Sequence, residues 1–368
     1  MDNENKSKFA FYAIDNSYVT NIVSAEEKDI QGKDFVEWGS YNKYPQYIWN
    51  LSQDVTLLRT IINGIADYVV GENVATTHTA WQDQVNGNGD TVEDIIKNLA
   101  QDYARYGGFA INVIRNKMGG IAEIYYIDLK NLRSDKNNEF FYYSEDWNKS
   151  YGRVKYNTYP KFRVDGKEYS SIYYYKNNKN TVYPTAFIAG DGAVAAETEK
   201  SINEFHLNSI KNGFSSNVII NFNNGQPDDE SKKELEKNVT EKFAGESNAG
   251  RIMLSFNNGK ENEVTVSKIE AADFGDRYQA LAKATKQEIY SAYRAHPVLF
   301  GLPTEGTGFN DQDINECYKL FSMTVILPIQ KVIKSAFEKI LGEKEVVVFT
   351  PFQIDWTTEK KETQIVVK

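Results

Sequence analysis

Several stretches of this 368-residue chain carry side chains of the types that do chemistry. Gly190-Asp191-Gly192 leads to Glu199-Lys200-Ser201, and a Lys-Ser pair behind glycines is the beginning of a phosphate-cradling loop. That chemistry needs glycine directly before the lysine, so that backbone N–H groups wrap the anion. Glu199 stands there instead and repels phosphate, so the stretch reads as an ordinary helix start. Asp273-Phe274-Gly275 matches the metal-holding tripeptide of protein kinases, but no glycine-rich ATP loop or His-Arg-Asp catalytic loop accompanies it. Asn224 to Glu230 is acidic and glycine-bearing like a calcium loop, yet its oxygen ligands do not alternate as such a loop requires. It reads as a turn and helix cap. Three histidines, His78, His206 and His296, and a single cysteine, Cys317, are scattered along the chain. They define neither a zinc site nor a Cys/His or Ser/His pair, and no Gly-x-Ser-x-Gly elbow occurs. His296, directly before Pro297, reads as a helix-end residue. The expectation is a non-enzyme without catalytic, cofactor-binding or metal sites.

Composition narrows the class. The 41% hydrophobic and 25% charged residues are globular values, and the length suits two or three packed units. A negative mean hydropathy argues against a membrane span. The polar start, Met1 to Lys6, lacks an export-signal pattern, so an intracellular compartment is expected at assembly. One cysteine forms no intrachain disulfide. With 51 acidic against 42 basic residues the net charge is -9, the wrong sign for a clamp that grips duplex DNA through many phosphates. A conduit through which DNA slides has the opposite need, because each strong phosphate contact is a brake. The 24 tyrosines and 20 phenylalanines read first as strand formers on half-exposed sheets, and they also suit subunit interfaces.

The elements that position these residues follow from pattern. Residues 1–45 are polar with scattered aromatics and end in an irregular turn, Trp38 to Pro45. Val55, Leu58, Ile62, Ile65 and Val69 predict a helix stopped by Gly71. Asp90 or Thr91 caps a second helix carrying Val92, Ile95, Ile96, Leu99, Tyr103 and Tyr106, ended by Gly107-Gly108. Strands are expected at 109–114, 121–127, 140–143 and 169–175, with hairpin turns at Gly119-Gly120 and Asp165-Gly166. A third helix, about 193–211, has a thin stripe of Ala195, Thr198, Ile202, Phe205 and Ser209. Strands at 217–222 and 251–256 flank a short helix opened by Ser231. A helix bearing Tyr278, Leu281, Ala282, Thr285, Ile289 and Ala292 stops before Pro297. A last helix, about 311–341, is expected to kink near Thr324 because Pro328 lacks an N–H. A strand at 346–349 and a charged tail, disordered or swapped onto a neighbour, follow.

Three segments together resemble the portal proteins of long-tailed phages and prophages. They are Trp38 to Tyr47 with the helix after it; Phe205 to Asn221 followed by Phe243-Ala244-Gly245-Glu246-Ser247-Asn248-Ala249-Gly250-Arg251; and His296-Pro297-Val298-Leu299-Phe300-Gly301 with the helix containing Leu327-Pro328. Each motif is short, and their order and spacing carry the resemblance.

The resemblance implies an α+β, portal-like fold with a mixed β-rich wing, long stem helices, a small α/β clip and a kinked C-terminal helix. By position the wing is 1–190, the stem helices are 191–212 and 273–296, and the clip is 213–272. The tunnel-loop region is 297–312, the kinked helix and C-terminal wing strand are 313–356, and the tail is 357–368. It further implies a homo-oligomeric ring, usually of twelve subunits, at the capsid portal vertex of the virion. DNA would enter and leave through it without sequence readout, and the terminase large subunit, the major capsid protein and a head-tail adaptor would dock on it. The DNA-facing tunnel loop would comprise Pro303, Thr304, Glu305, Gly306, Thr307, Gly308 and Phe309. Two glycines and a carboxylate without a basic residue fit a flexible loop that does not grip phosphate. Only 27 residues follow Leu341, which implies no large crown. A head-tail adaptor or other ring-forming virion protein is the alternative reading, and an uncharacterised hydrolase a third.

Overall fold

The computed structural model describes residues 22–147, 154–211, 218–222, 252–256, 274–301 and 311–353. Its centre is a layer of three helices, α1 (Tyr44–Asp54), α2 (Thr56–Val70) and α3 (Val92–Tyr106). The expected irregular turn at Pro45 is instead the start of α1. Proline in the first turn of a helix loses an N–H that has no intrahelical partner anyway, and its fixed φ suits the helix. Helix α3 opens on a complete capping box, Thr91 with Asp94, and ends on left-handed Gly107 (φ 82°). A Cβ on Gly107 would lie 2.3 Å from the Thr185 carbonyl oxygen, so only glycine fits there.

Against this layer lies an antiparallel sheet ordered β5-β4-β9, from Ile121–Ile127, Gly108–Arg115 and Ser170–Lys176. A second sheet is ordered β6-β7-β8, from Leu132–Ser134, Phe140–Tyr143 and Asn157–Pro160. The Gly119-Gly120 turn joins β4 to β5 as expected. The Asp165-Gly166 turn does not close a hairpin: β8 pairs with β7, and β9, with Tyr173-Tyr174-Tyr175, pairs with the largely buried β4. Shorter pairs are β1 (Glu27–Lys28) with β2 (Glu37–Trp38), and β3 (Asn73–Thr76) with β12 (Val347–Thr350). Strands β10 (Val218–Phe222) and β11 (Ile252–Phe256) run parallel. The helix expected at Ser231 and the tail lie outside the described residues.

Helix α4 spans Asp191–Lys211 and α5 spans Phe274–Ala292. Helices α6 (Asp311–Phe321) and α7 (Leu327–Leu341) are joined by a π-helical turn, Ser322–Ile326. The stretch Ile314–Leu341 is long and apolar enough by composition to cross a bilayer, where the sequence suggested no such run. Part of its apolar content goes to the core, where Phe321, Ile326, Ile329, Ile333, Phe337 and Ile340 are buried in the cluster containing α2 and α3, while Leu320, Met323 and Leu327 are exposed.

The core also holds charge that hydrophobic periodicity does not announce. Asp102 is completely buried; it accepts from Arg105 Nη1 at 3.0 Å and from the Leu129 N–H at 3.1 Å. Burial, with Asp128 nearby, pushes its carboxyl up to about 7, and Arg105 only partly offsets this. Arg133, 1% exposed, donates to Asn42 Oδ1 and to the carbonyls of Asn42, Lys130 and Leu132. Burial lowers its guanidinium to about 10, and the nearby Tyr183, Tyr106, Tyr174 and Glu37 only partly offset this.

Candidate functional site

The loop Pro303-Thr304-Glu305-Gly306-Thr307-Gly308-Phe309 lies outside the described residues, but both of its anchors are described. On the near side, Pro297–Phe300 form a 3-10 turn closed by left-handed Gly301 (φ 78°). Phe300 drops onto α2 at Gly64, where a Cβ would come within 2.6 Å of its ring. Tyr68, one turn further along α2, donates its hydroxyl to the Leu299 carbonyl at 2.8 Å. The ring of Tyr68 meets Phe300, Tyr318, Phe321 and Phe352 at 6.1, 5.8, 5.6 and 5.9 Å, and Phe300 in turn meets Tyr290 and Phe321. Both ends of the loop are thus fixed to one aromatic cluster on α2. Sequence reasoning missed it, although Gly64 inside an otherwise apolar helix was a legible sign of close approach.

On the far side, the interruption at Pro328 takes the form of the π turn. The Leu327 N–H bonds to the Ser322 carbonyl, five residues back, and the Thr324 hydroxyl donates to the Leu320 carbonyl at 2.7 Å. Widening the turn reroutes the ladder before the residue that cannot donate, and Pro328 then occupies the first turn of α7. Gln330 donates to the Val69 carbonyl at 2.8 Å and ties that turn to the end of α2.

Helices α4 and α5 pack along a thin seam. Gly192 sits 3.4 Å, measured from its would-be Cβ, from the Ala292 methyl, and Ala193, Ala196, Glu199 and Ile202 face inward from α4, opposite Thr285 and Ile289 of α5. The expected stripe holds at Ala195 and Ile202, which are buried, and fails at Phe205, 48% exposed; Val194 and Leu207 of α4 and Leu281 of α5 are also exposed, at 46%, 52% and 45%. Lys200, the lysine of the discarded phosphate pattern, pairs with Asp54 at 2.8 Å. Buried Glu199 sits 3.8 Å from Lys286 through one oxygen, while its other oxygen has no hydrogen-bond partner among the described residues.

The remaining chemistry-bearing side chains are not brought together. His78 lies beside Trp81 and 3.6 Å from Glu343, His206 is exposed on α4, His296 precedes the 3-10 turn, and Cys317 is on α6. Among the described residues no three His, Cys, Asp or Glu side chains are grouped to hold a metal ion.

The Trp38–Tyr47 motif has a physical explanation. Gly39 (φ 77°), Tyr41 (φ 55°) and Asn42 (φ 60°) take the left-handed backbone region, which Asn tolerates better than most residues. The Asn42 side chain accepts from the Trp38 N–H at 3.1 Å and from Arg133; Trp38 stacks on Tyr183 at 4.5 Å; Tyr44 is buried; Pro45 begins α1. The motif is a clamp between the N-terminal segment, β6 and the helix layer.

This geometry places the chain among known architectures. The model of the phage portal protein family matches residues 75–364. Among solved structures, the fold is shared with a chain from the neck of a native gene transfer agent particle computed with C12 symmetry. The TM-score is 0.52 and the identity 14%, covering 85% of this chain and 86% of that one. An HK97 family phage portal protein from Corynebacterium diphtheriae matches with a TM-score of 0.50 and 9% identity, over 79% of this chain and 88% of that one. A comparison with curated proteins finds no match. The chain belongs to the phage portal protein family.

Proposed function

We propose that copies of this chain form a ring of twelve at the capsid portal vertex, having assembled in the host cytoplasm, and that duplex DNA passes through its centre during packaging and ejection. The observation that carries this reading is the fold shared, over 85% of the chain, with the neck subunit of a particle computed with C12 symmetry. In this assignment residues 1–190 and 313–356 form the wing, 191–212 and 273–296 the stem, 213–272 the clip, and 303–309 the loop facing DNA. The terminase large subunit, which hydrolyses ATP, docks on the clip, the major capsid protein meets the wing, and a head-tail adaptor binds below. The loop's lack of basic residues and the chain's net charge of -9 suit passage rather than grip.

Light scattering and negative-stain electron microscopy of the purified chain, at low and high salt, test the ring. Particles of about a dozen subunits with a hole wide enough for duplex DNA are expected. A monomer at every concentration and salt would overturn the reading.

A further inference from the structure

The clamp around Asn42 has an outcome as well as a cause. It holds Tyr41 in the left-handed region and leaves its side chain 85% exposed. A large aromatic residue kept in an unfavourable backbone conformation persists only where its surroundings impose it, and such residues gather at functional positions. Here neighbouring side chains impose it: Asn42 is fixed by Trp38 and Arg133, and Trp38 by Tyr183. The result is a rigid post that presents an aromatic ring to solvent, the composition of an interface anchor. Lys43, exposed two residues on, adds a positive charge beside it.

At the other end of α3 lies a cleft of about 430 Å³, lined by Val74, Thr76, Trp81, Gln82, Val92 and Glu93. Its lining is mixed, with Val74, Trp81 and Val92 beside Thr76 and Gln82, and Glu93 supplies a negative rim. Tyr106, the last residue of α3, donates to the Pro45 carbonyl next to the post, and Thr91 caps α3 beside the cleft. The 15 residues of α3 therefore set post and cleft about 22 Å apart, at opposite ends of one stiff element. A knob at one end and a socket at the other cannot meet within a chain. Between successive copies they make a head-to-tail contact, the type that closes into a ring.

We infer that Tyr41 of one copy seats in the cleft formed by β3, Trp81 and the start of α3 of the next copy, with Lys43 facing Glu93. The inference rests on the ring proposed above. A docked tyrosine brings a ring and a hydroxyl to a lining that is part apolar and part polar, and a neighbouring cation for the rim.

The test compares the wild-type chain with Tyr41→Ala, and mixes Tyr41→Cys chains with Gln82→Cys chains, both in a Cys317→Ser background, in the presence of a short bismaleimide linker. Thermal unfolding checks that each variant is folded; Tyr41 and Gln82 are exposed, so midpoints near wild type are expected. The concentration needed for ring assembly is expected to rise at least about tenfold in Tyr41→Ala, and the cysteine pair is expected to yield linked dimers only when the two kinds of chain are mixed. Rings from the wild type and from Tyr41→Ala at the same concentration, with no linked dimers, would overturn this contact and leave the ring standing. Absence of rings from the wild type would overturn both.

Discussion

The three-helix layer and the α4/α5 pair are built from the same residue types to different ends. In the layer, α1, α2 and α3 bury Leu58, Ile62, Ile65, Ile95, Ile96 and Leu99 almost completely, and the charged groups taken inside, Asp102 and Arg105, find partners within the chain. In the pair, the seam is a line of alanines, a buried carboxylate has an oxygen without a partner among the described residues, and Val194, Leu207 and Leu281 face outward. A layer whose buried charges are paired within the chain is a folding unit; a pair that exposes leucines and leaves a carboxylate half-satisfied is shaped for further contacts. Stability should therefore be decided in the layer, while the helix pair contributes mainly to assembly, beside the Tyr41 contact inferred above.

The largest expected effect is Asp102→Ala, which leaves Arg105 charged and buried and costs about 3–5 kcal/mol in chemical denaturation. A loss below about 1 kcal/mol would mean that the layer is not self-sufficient in the way described. The same residue carries a pH signature. Its folded pKa of about 7 lies above the ordinary aspartate value of 3.8, so between those values the folded chain holds a proton that the unfolded chain has released. This contribution is complete below the unfolded pKa and is lost as pH rises through about 7. Asp102→Asn should flatten that part of the profile, as followed by thermal midpoints across the range.

Gly64→Leu comes next. A leucine gains roughly 1 kcal/mol of helix propensity over glycine, but its Cβ starts within 2.6 Å of Phe300, and overpacking costs about 1–3 kcal/mol. Overpacking is expected to win, with a net loss of up to about 2 kcal/mol. Thr91→Ala removes half of the capping box and should cost about 1 kcal/mol. Leu207→Ser and Leu281→Ser are at the small end for the isolated chain, within about 0.5 kcal/mol. Their effect should appear in assembly, as a higher concentration required for rings. If they destabilise the monomer as strongly as core variants do, the contrast between the two regions fails.

Much of this architecture was legible in the chain. The strands at 121–127 and 140–143, the stop at Gly71 and the cap at Thr91 follow from alternation, glycine and capping chemistry that act locally. What was not legible depends on distant partners. Pro45 reads as a breaker until it is known that the Asn42–Trp38 clamp delivers the chain to it in helical register. Asp102 and Arg105 fall on the polar side of any tally of periodicity, and only the approach of the Leu129 backbone and Ser52 explains their burial. The stripe on α4 was only partly legible: with Ala193, Ala195 and Ala196 within one turn, small residues let several faces pack equally well, and α5 decides. Of the candidate site, Pro328 and the Trp38–Tyr47 motif were found in the sequence. The aromatic anchor around Tyr68 was not, because its members are drawn from four separate stretches of the chain.

The most direct test of the account is hydrogen exchange measured on the isolated chain and on assembled rings. Amides along α4 and α5 are expected to gain protection on assembly, while those in the interior of α2 and α3, already protected in the monomer, stay unchanged. Rings that form without any gain along α4 and α5, or with the gain confined to α2 and α3, would contradict the division of labour proposed between the two regions.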